Sequence, residues 1–251
     1  MREIKKHPLE STDSTNNYLK NLNGGDPDYM YEVAWAEFQT AGRGQKGNSW
    51  ESEPGKNLLF SILAHPEGIS IQDQFVISQA ISLAVTESVA QVAGPEHAGE
   101  FTVKWPNDIY WKEKKLAGIL IENVLAGGKI ADSIIGVGLD VNQEKFFSNA
   151  PNPVSLFNIT GREHDRYALL DDILARFTDI MEQAMAGNRQ EIDRRYHSML
   201  FRREGIHTYR TADGTLFQAS IDHVCSNGIL ILDCSGEKKE FEFKQIAFVL
   251  N

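Results

Sequence analysis

The stretch Thr40-Ala41-Gly42-Arg43-Gly44-Gln45-Lys46-Gly47-Asn48-Ser49-Trp50 carries the clearest chemistry in the chain. Three glycines within six residues interrupt any regular element and let backbone N–H groups approach a bound group with no Cβ in the way. Arg43 and Lys46 add two cations, and Trp50 closes the stretch with a flat apolar ring. Donors, cations and one aromatic suit an anionic ligand with an aromatic part, a description that fits a nucleotide. The spacing matches neither the phosphate-loop signature nor the dinucleotide fingerprint, so a plain glycine-rich hairpin with incidental charges accounts for the loop taken alone.

Four other stretches hold residues suited to a site. Ser14-Thr15-Asn16 belongs to a run of hydroxyl and amide side chains at the start of a helix: Ser14 or Thr15 as its cap accounts for one of them, and a run this long equally suits hydrogen bonding with a polar ligand. Lys104-Trp105-Pro106-Asn107-Asp108 sets a lysine and a carboxylate around a proline stop. Lys115 ends the charged turn Lys112-Glu113-Lys114-Lys115, which by itself reads as solvated charge. Because Leu116, Ala117 and Gly118 follow at once, the stem of Lys115 lies at the start of a buried strand, from which its ammonium can point into a cleft. In Gly136-Val137-Gly138-Leu139-Asp140-Val141-Asn142, glycines alternate inside a strand; they lose packing there and mark close approach by a ligand or another backbone. The seven histidines show no metal-ligand spacing, so no structural metal site is expected.

These stretches need elements to hold them. Residues 33–38 alternate as a strand that delivers Gln39 and Thr40 into the loop, and residues 57–64 read as a buried strand, placing the loop at a sheet edge. An amphipathic helix is predicted over residues 72–92, ending at Gly94-Pro95. Strands follow at 101–105, 109–111, 116–125 and 133–141, then a broken connection over 143–164 and two helices over 165–186 and 189–201 whose charged faces carry no chemistry. From Gly205 short alternating strands are separated by Asp213-Gly214, Asn227-Gly228 and Ser235-Gly236, as in a small antiparallel barrel. The expected class is α+β: a domain over 1–203 with a mixed or antiparallel sheet and helices packed on one side, then a β domain over 204–251.

With 35 acidic and 25 basic residues the net charge is −10, which argues against a general nucleic-acid surface. No apolar run is read as reaching the roughly 20 residues that span a bilayer. The polar N-terminus lacks an export signal, and a cytoplasmic protein is expected. Cys225 and Cys234 could face each other across a hairpin, and thiols are favoured over a disulfide.

In order, Ser14-Thr15-Asn16, Glu37-Phe38-Gln39-Thr40-Ala41-Gly42-Arg43-Gly44, Lys104-Trp105-Pro106-Asn107-Asp108, Lys115-Leu116-Ala117-Gly118-Ile119-Leu120 and Gly136-Val137-Gly138-Leu139-Asp140-Val141-Asn142 resemble the motif set of biotin–protein ligases. The terminal β domain is similar to the small SH3-like domain of that family. The resemblance implies a class II aminoacyl-tRNA synthetase-like catalytic domain and a two-step reaction. Biotin is activated by ATP, with Mg²⁺, to biotinyl-AMP and then passed to a lysine of a biotin carboxyl carrier protein domain. It implies Arg43, Lys115 and Asp108 as catalytic residues, and Ser14, Thr15, Asn16, Gln39, Gly42, Arg43, Gly44, Lys115 and Gly118 around biotin. Arg43, Lys46, Trp50, Asn107, Lys115, Asp140 and Asn142 would hold the nucleotide. No protein ligand for a metal is implied, Mg²⁺ travelling with ATP near Asp108. No DNA or membrane partner is implied, and the chain would act as a monomer or homodimer.

The chemistry asks for such residues. Bringing a carboxylate to a polyphosphate sets anion against anion, so fixed positive charge and donors are needed where charge develops. A ureido ring needs short polar side chains in an apolar pocket, for which Ser14, Thr15 and Gln39 are suited. A carboxylate such as Asp108 assists an amine that must lose its proton. An acyl-adenylate hydrolyses if wetted, so residues 42–49 are expected to order over the ligand. Two departures from the family pattern stand out: Gln45 where many relatives carry arginine, and Asp140 where asparagine is usual. The first motif begins by Ser11, so no helix-turn-helix domain is expected before it. A lipoate–protein ligase shares the fold and the adenylation, but lipoate has no ureido group for the polar set to satisfy. A non-catalytic nucleic-acid-binding module is disfavoured by the acidic charge.

Overall fold

The computed structural model describes residues 3–44, 49–147 and 152–250. Seven strands make the larger sheet: β1 (Ile4–Thr12), β2 (Tyr31–Gln39), β3 (Leu58–Ala64), β4 (Phe101–Lys104), β5 (Asp108–Trp111), β6 (Lys114–Ala126) and β7 (Lys129–Leu139). Their order is β1-β2-β3-β7-β6-β5-β4, and every neighbouring pair is antiparallel except β1 with β2.

The parallel pair places the site. Thr12 lies opposite Gln39, so the ends of β1 and β2 come out together. The N–H groups of Thr40 and Ala41 donate to the carbonyls of Thr12 and Asp13, each at 2.9 Å, so the glycine loop starts beside Ser14-Thr15-Asn16. The loop thus leaves from the end of an interior strand, not from the sheet edge expected above, because β1 covers β2. The sequence reading did not anticipate β1. It contains Pro8, which an edge strand tolerates and a central one does not.

The helices are α1 (Thr15–Lys20), α2 (Phe75–Ala93), α3 (Leu156–Thr160), α4 (Arg166–Met185) and α5 (Arg189–Ser198). Side chains alternate across β3: Phe60 and Ile62 join α2 and α4 in the main core, while Leu63 meets Leu19 of α1 on the other face. Three long helices therefore share one face, and short α1 sits alone on the other. α2 differs from the amphipathic helix predicted, being buried on nearly all sides between the sheet, α4 and α5. The segment Ile71–Ala93 has the length and composition of a membrane span, against the reading above, and most of it is buried inside the fold. The connection over 143–164 is less irregular than expected, since it holds α3, capped by Ser155 and Asn158.

β8 (His207–Thr211), β9 (Leu216–Val224), β10 (Leu230–Cys234), β11 (Glu237–Phe241) and β12 (Ile246–Phe248) form a second, antiparallel sheet in order β11-β10-β9-β8-β12, where the small SH3-like domain was expected. Its Tyr209, Val224, Leu230 and Leu232 belong to the same apolar cluster as the large sheet. The indole N–H of Trp105 donates to Gly228 O at 2.9 Å, and the Phe75 N–H donates to Ser226 O at 3.1 Å. Both cysteines are free thiols. They do not face each other: Cys225 pairs with Ile229 at the turn, and Cys234 lies at the far end of β10.

Candidate active site

A cavity of about 1090 Å³ opens between the large sheet, the glycine loop and the small sheet. Its volume is at the upper limit for one drug-sized ligand, which suits a ligand in two parts.

One end is polar and closed. Ser14 occupies the N-cap of α1, yet its side chain makes no capping bond; it lines the cavity instead. Gln39 Oε1 accepts from the backbone N–H of Thr15 at 2.7 Å and from its hydroxyl at 3.1 Å. Thr15 Oγ1 meets Ser61 Oγ at 2.7 Å, and Ser61 donates to Asn16 Oδ1 at 2.6 Å. The Asn16 carboxamide fits because Gly136 lies beneath it; a Cβ there would come within 2.2 Å of Oδ1. Buried groups tied in this way hold one arrangement, since each would lose a partner by moving.

The other end is cationic and aromatic. The backbone of Lys115 is clamped by Asn152 and Val154, with N–H to Asn152 O at 2.8 Å and Val154 N–H to Lys115 O at 2.9 Å. Its ammonium lies 2.7 Å from Asp108 Oδ1 and 5.5 Å from the centre of the Trp50 ring. Lys104 Nζ lies 3.8 Å from Asp108 Oδ2 and faces the rings of Tyr110 and Phe248. Burial lowers the proton affinity of Lys104, opposed by the Asp108 carboxylate. Asp140, 4% exposed, has no hydrogen-bond partner at Oδ1. Burial pushes its carboxyl well above the usual range; Lys115 opposes the shift and Glu51 adds to it. Arg210 and Phe248 of the small sheet, with Phe243 and Lys244 of the turn between β11 and β12, supply the remaining wall.

Ser14, Thr15, Asn16, Gln39, Arg43, Gly44, Trp50, Asn107, Asp108, Lys115, Gly118 and Asp140 thus line one hollow. Gly42 is not part of the lining; its carbonyl accepts from Trp50 N–H at 3.0 Å. Asn142 faces elsewhere: its carboxamide is engaged on both sides by the His164 backbone, at 2.9 Å each. Asn107 lines the cavity, and its side-chain amide donates to Ile119 O at 2.7 Å. Lys46 and Gln45 lie outside the described residues. Arg43 and Lys115 share the cavity without meeting. Lys115 reaches the Gly118 position of β6, while Arg43 Nη2 is held by Glu122 Oε2 at 3.0 Å, four residues and about 13 Å further along the strand. Among the described residues no group of three or more His, Cys, Asp or Glu could hold a metal ion.

Comparison with known proteins supplies the frame for this geometry. The family model described as "Biotin/lipoate A/B protein ligase family" matches residues 9–140. The chain belongs to that family. The matched span runs from within β1 to the end of β7 and includes every cavity-lining residue up to Asp140. The "Bifunctional ligase/repressor BirA" of Bacillus subtilis is 30% identical over 240 residues, covering 92% of this chain and 69% of that protein. The "Biotin--[acetyl-CoA-carboxylase] ligase" of Mycobacterium tuberculosis is 34% identical over 170 residues, or 66% of this chain and 60% of that one. The biotin protein ligase of Aquifex aeolicus, solved with biotin and ATP, superimposes with a TM-score of 0.80 over 98% of this chain and 99% of that one. At 24% identity that likeness concerns the fold.

Within this family member, three side chains at the site went unassigned in the sequence. Ser61 is fully buried and joins Thr15 to Asn16. Glu122 holds Arg43, and Lys104 flanks Asp108. Ser61 is a lone polar residue inside an apolar strand and Glu122-Asn123 interrupts another, and those interruptions were the signal available.

Proposed function

We propose that this protein is a biotin–protein ligase, using ATP to make biotinyl-AMP and passing biotin to a lysine of a biotin carboxyl carrier protein domain. One observation carries the reading: a single cavity joins a closed set of hydroxyl and amide groups at one end to an aromatic ring with a lysine–carboxylate pair at the other. A neutral ureido ring suits the first end and an adenylate the second. Family membership and the names of the relatives agree with it.

In the first step a biotin carboxylate oxygen attacks the α-phosphorus, the bond to the β-phosphate breaks, and pyrophosphate leaves. Lys115 and Arg43 offset the negative charge that gathers there. Mg²⁺ comes with the triphosphate as part of the substrate. In the second step the acceptor amine attacks the acyl carbon, the bond to the phosphate oxygen breaks, and AMP leaves. Asp108 keeps Oδ1 on Lys115, and Oδ2 takes up the amine's proton. Residues 1–203 carry this chemistry and 204–251 supply one wall. The chain acts as a monomer or homodimer. Two free thiols suit a reducing cytoplasm.

Mass spectrometry after mixing the protein with ATP, Mg²⁺ and either biotin or lipoate tests the reading. A biotinyl-AMP product is expected with biotin. Lipoyl-AMP alone, or neither adduct, overturns it.

A further inference from the structure

Glu122 on β6 uses one oxygen for two donors. Its Oε2 accepts from Asn16 Nδ2 at 3.1 Å and from Arg43 Nη2 at 3.0 Å. From Asn16 the hydrogen bonds continue through the Ser61 and Thr15 hydroxyls, and the backbone N–H of Thr15 donates to Gln39, which stands four residues before Arg43 in the chain. The result is a closed circuit through β6, α1, β3 and the end of β2, returning to the glycine loop. Most of it is buried: Asn16 and Thr15 are each 3% exposed and Ser61 is 0% exposed. Glu122 and Arg43 are the accessible members, with side chains 31% and 41% exposed. Glu122 stands in the run Leu120-Ile121-Glu122-Asn123-Val124-Leu125, and the donors around it account for its charge: Asn16 and Arg43 at Oε2, with Lys20 Nζ 3.8 Å from Oε1.

We propose that Glu122 is a positioning residue that couples the polar pocket to the loop arginine, by giving up Arg43 to an incoming anion and keeping its oxygen for Asn16. The inference rests on the proposed function, in which the anion is a phosphate of ATP or of the adenylate and the pocket holds the biotin ring. An oxygen shared between two donors holds each less firmly than one serving a single donor. When Arg43 turns to a phosphate, Asn16 becomes the main donor to Oε2, and the buried chain from Asn16 to Gln39 stiffens around the ring. The two ligands then favour each other, and the effect is reciprocal. Arg43 is well placed to leave, because an exposed ion pair holds weakly against a phosphate that offers several oxygens.

Glu122→Gln separates the two duties, since it keeps a carbonyl acceptor for Asn16 and removes the charge that holds Arg43. Biotin affinity measured by calorimetry with and without a non-hydrolysable ATP analogue is expected to rise about five-fold or more in the unaltered protein. In Glu122→Gln that ratio falls toward one, because the acceptor serves Asn16 with or without the analogue. A ratio that survives the substitution overturns the proposal, and so does loss of biotin binding on its own, which would mark Glu122 as a scaffold of the pocket. A second measurement stands apart from the ligands: trypsin cleavage after Arg43 in the free protein is expected to be faster in Glu122→Gln, and equal rates overturn the holding role. If the unaltered protein binds neither biotin nor the analogue, the proposed function fails while the trypsin comparison still decides the contact.

Discussion

Gly118 on β6 and Gly138 on β7 lie opposite each other, and the indole of Trp50 covers both. A Cβ at Gly138 would come within 2.5 Å of the ring, and one at Gly118 within 2.9 Å. The alternating glycines of β7 thus admit side chains, Asn16 at Gly136 and Trp50 at Gly138, where a ligand or backbone was expected. Neither Gly118 nor Gly138 has a positive φ, so alanine suits the backbone of both.

Gly138→Ala therefore disturbs the ring more than the sheet. Trp50 is only half-buried and can move aside, so the melting temperature changes by no more than about 4 °C. The KM for ATP rises about ten-fold, a loss of about 1.4 kcal/mol in binding. Tryptophan emission shifts relative to the unaltered protein, and the shift disappears in a Trp50→Phe background. An unchanged KM together with an unchanged spectrum contradicts the contact.

Lys115→Met removes the cation between Asp108 and Trp50. Pyrophosphate release in a single turnover slows by about 10²–10³-fold, the usual cost of losing one fixed donor to developing charge. Lys115→Arg does not restore the rate, because a planar fork cannot reproduce a point charge on a clamped stem. A full rate in either variant removes Lys115 from the first step.

Ser61→Ala leaves Thr15 and Asn16 each short of a partner inside a sealed network. The cost is about 1–3 kcal/mol. It appears as a melting temperature lower by several degrees and as weaker biotin binding, both measurable by thermal shift with and without biotin. If both readings match the unaltered protein, the network contributes nothing at this point.

Asp140 makes stability depend on pH. Burial raises its folded-state pKa, so the fold disfavours the carboxylate form. Below the ordinary carboxylate range the group is protonated in folded and unfolded chains alike, and it costs nothing. As pH rises from that range toward the raised folded value, the unfolded chain ionises first and stability falls. Asp140→Asn therefore melts higher than the unaltered protein at pH 7, and the gain shrinks to nothing by about pH 3. Lys115 offsets part of the penalty and limits the gain. A difference that does not vary with pH argues against a titrating Asp140.

Much of the site was legible because its residues are unusual where they stand. The loop glycines, Asp108 after a proline stop and Lys115 at the mouth of an apolar strand each break a local pattern. β1 was not legible, because its residues pair with those 27 positions further along the chain and pairing in parallel leaves no hairpin signal. Ser61 and Glu122 were averaged into the apolar runs around them. For α2 the error has a different cause. Thr86 and Ser88 are polar in the sequence, but Thr86 donates to Ser82 O at 2.7 Å and Ser88 to Asp172 at 2.6 Å, so two small hydroxyls satisfied in place let the helix be buried where they stand as well. Register along β6, which sets Arg43 and Lys115 at separate ends of one hollow, is a property of the pairing and of no single motif.

The apolar interior runs without a break from α2 into the small sheet, and Trp105 and Phe75 grip the turn around Gly228. The small sheet is accordingly no detachable appendage. Heating takes both sheets through one cooperative transition in a calorimeter, and cutting the chain ahead of His207 uncovers greasy surface on Phe75, Trp105 and Phe201, so the shortened protein clumps rather than working at a reduced rate.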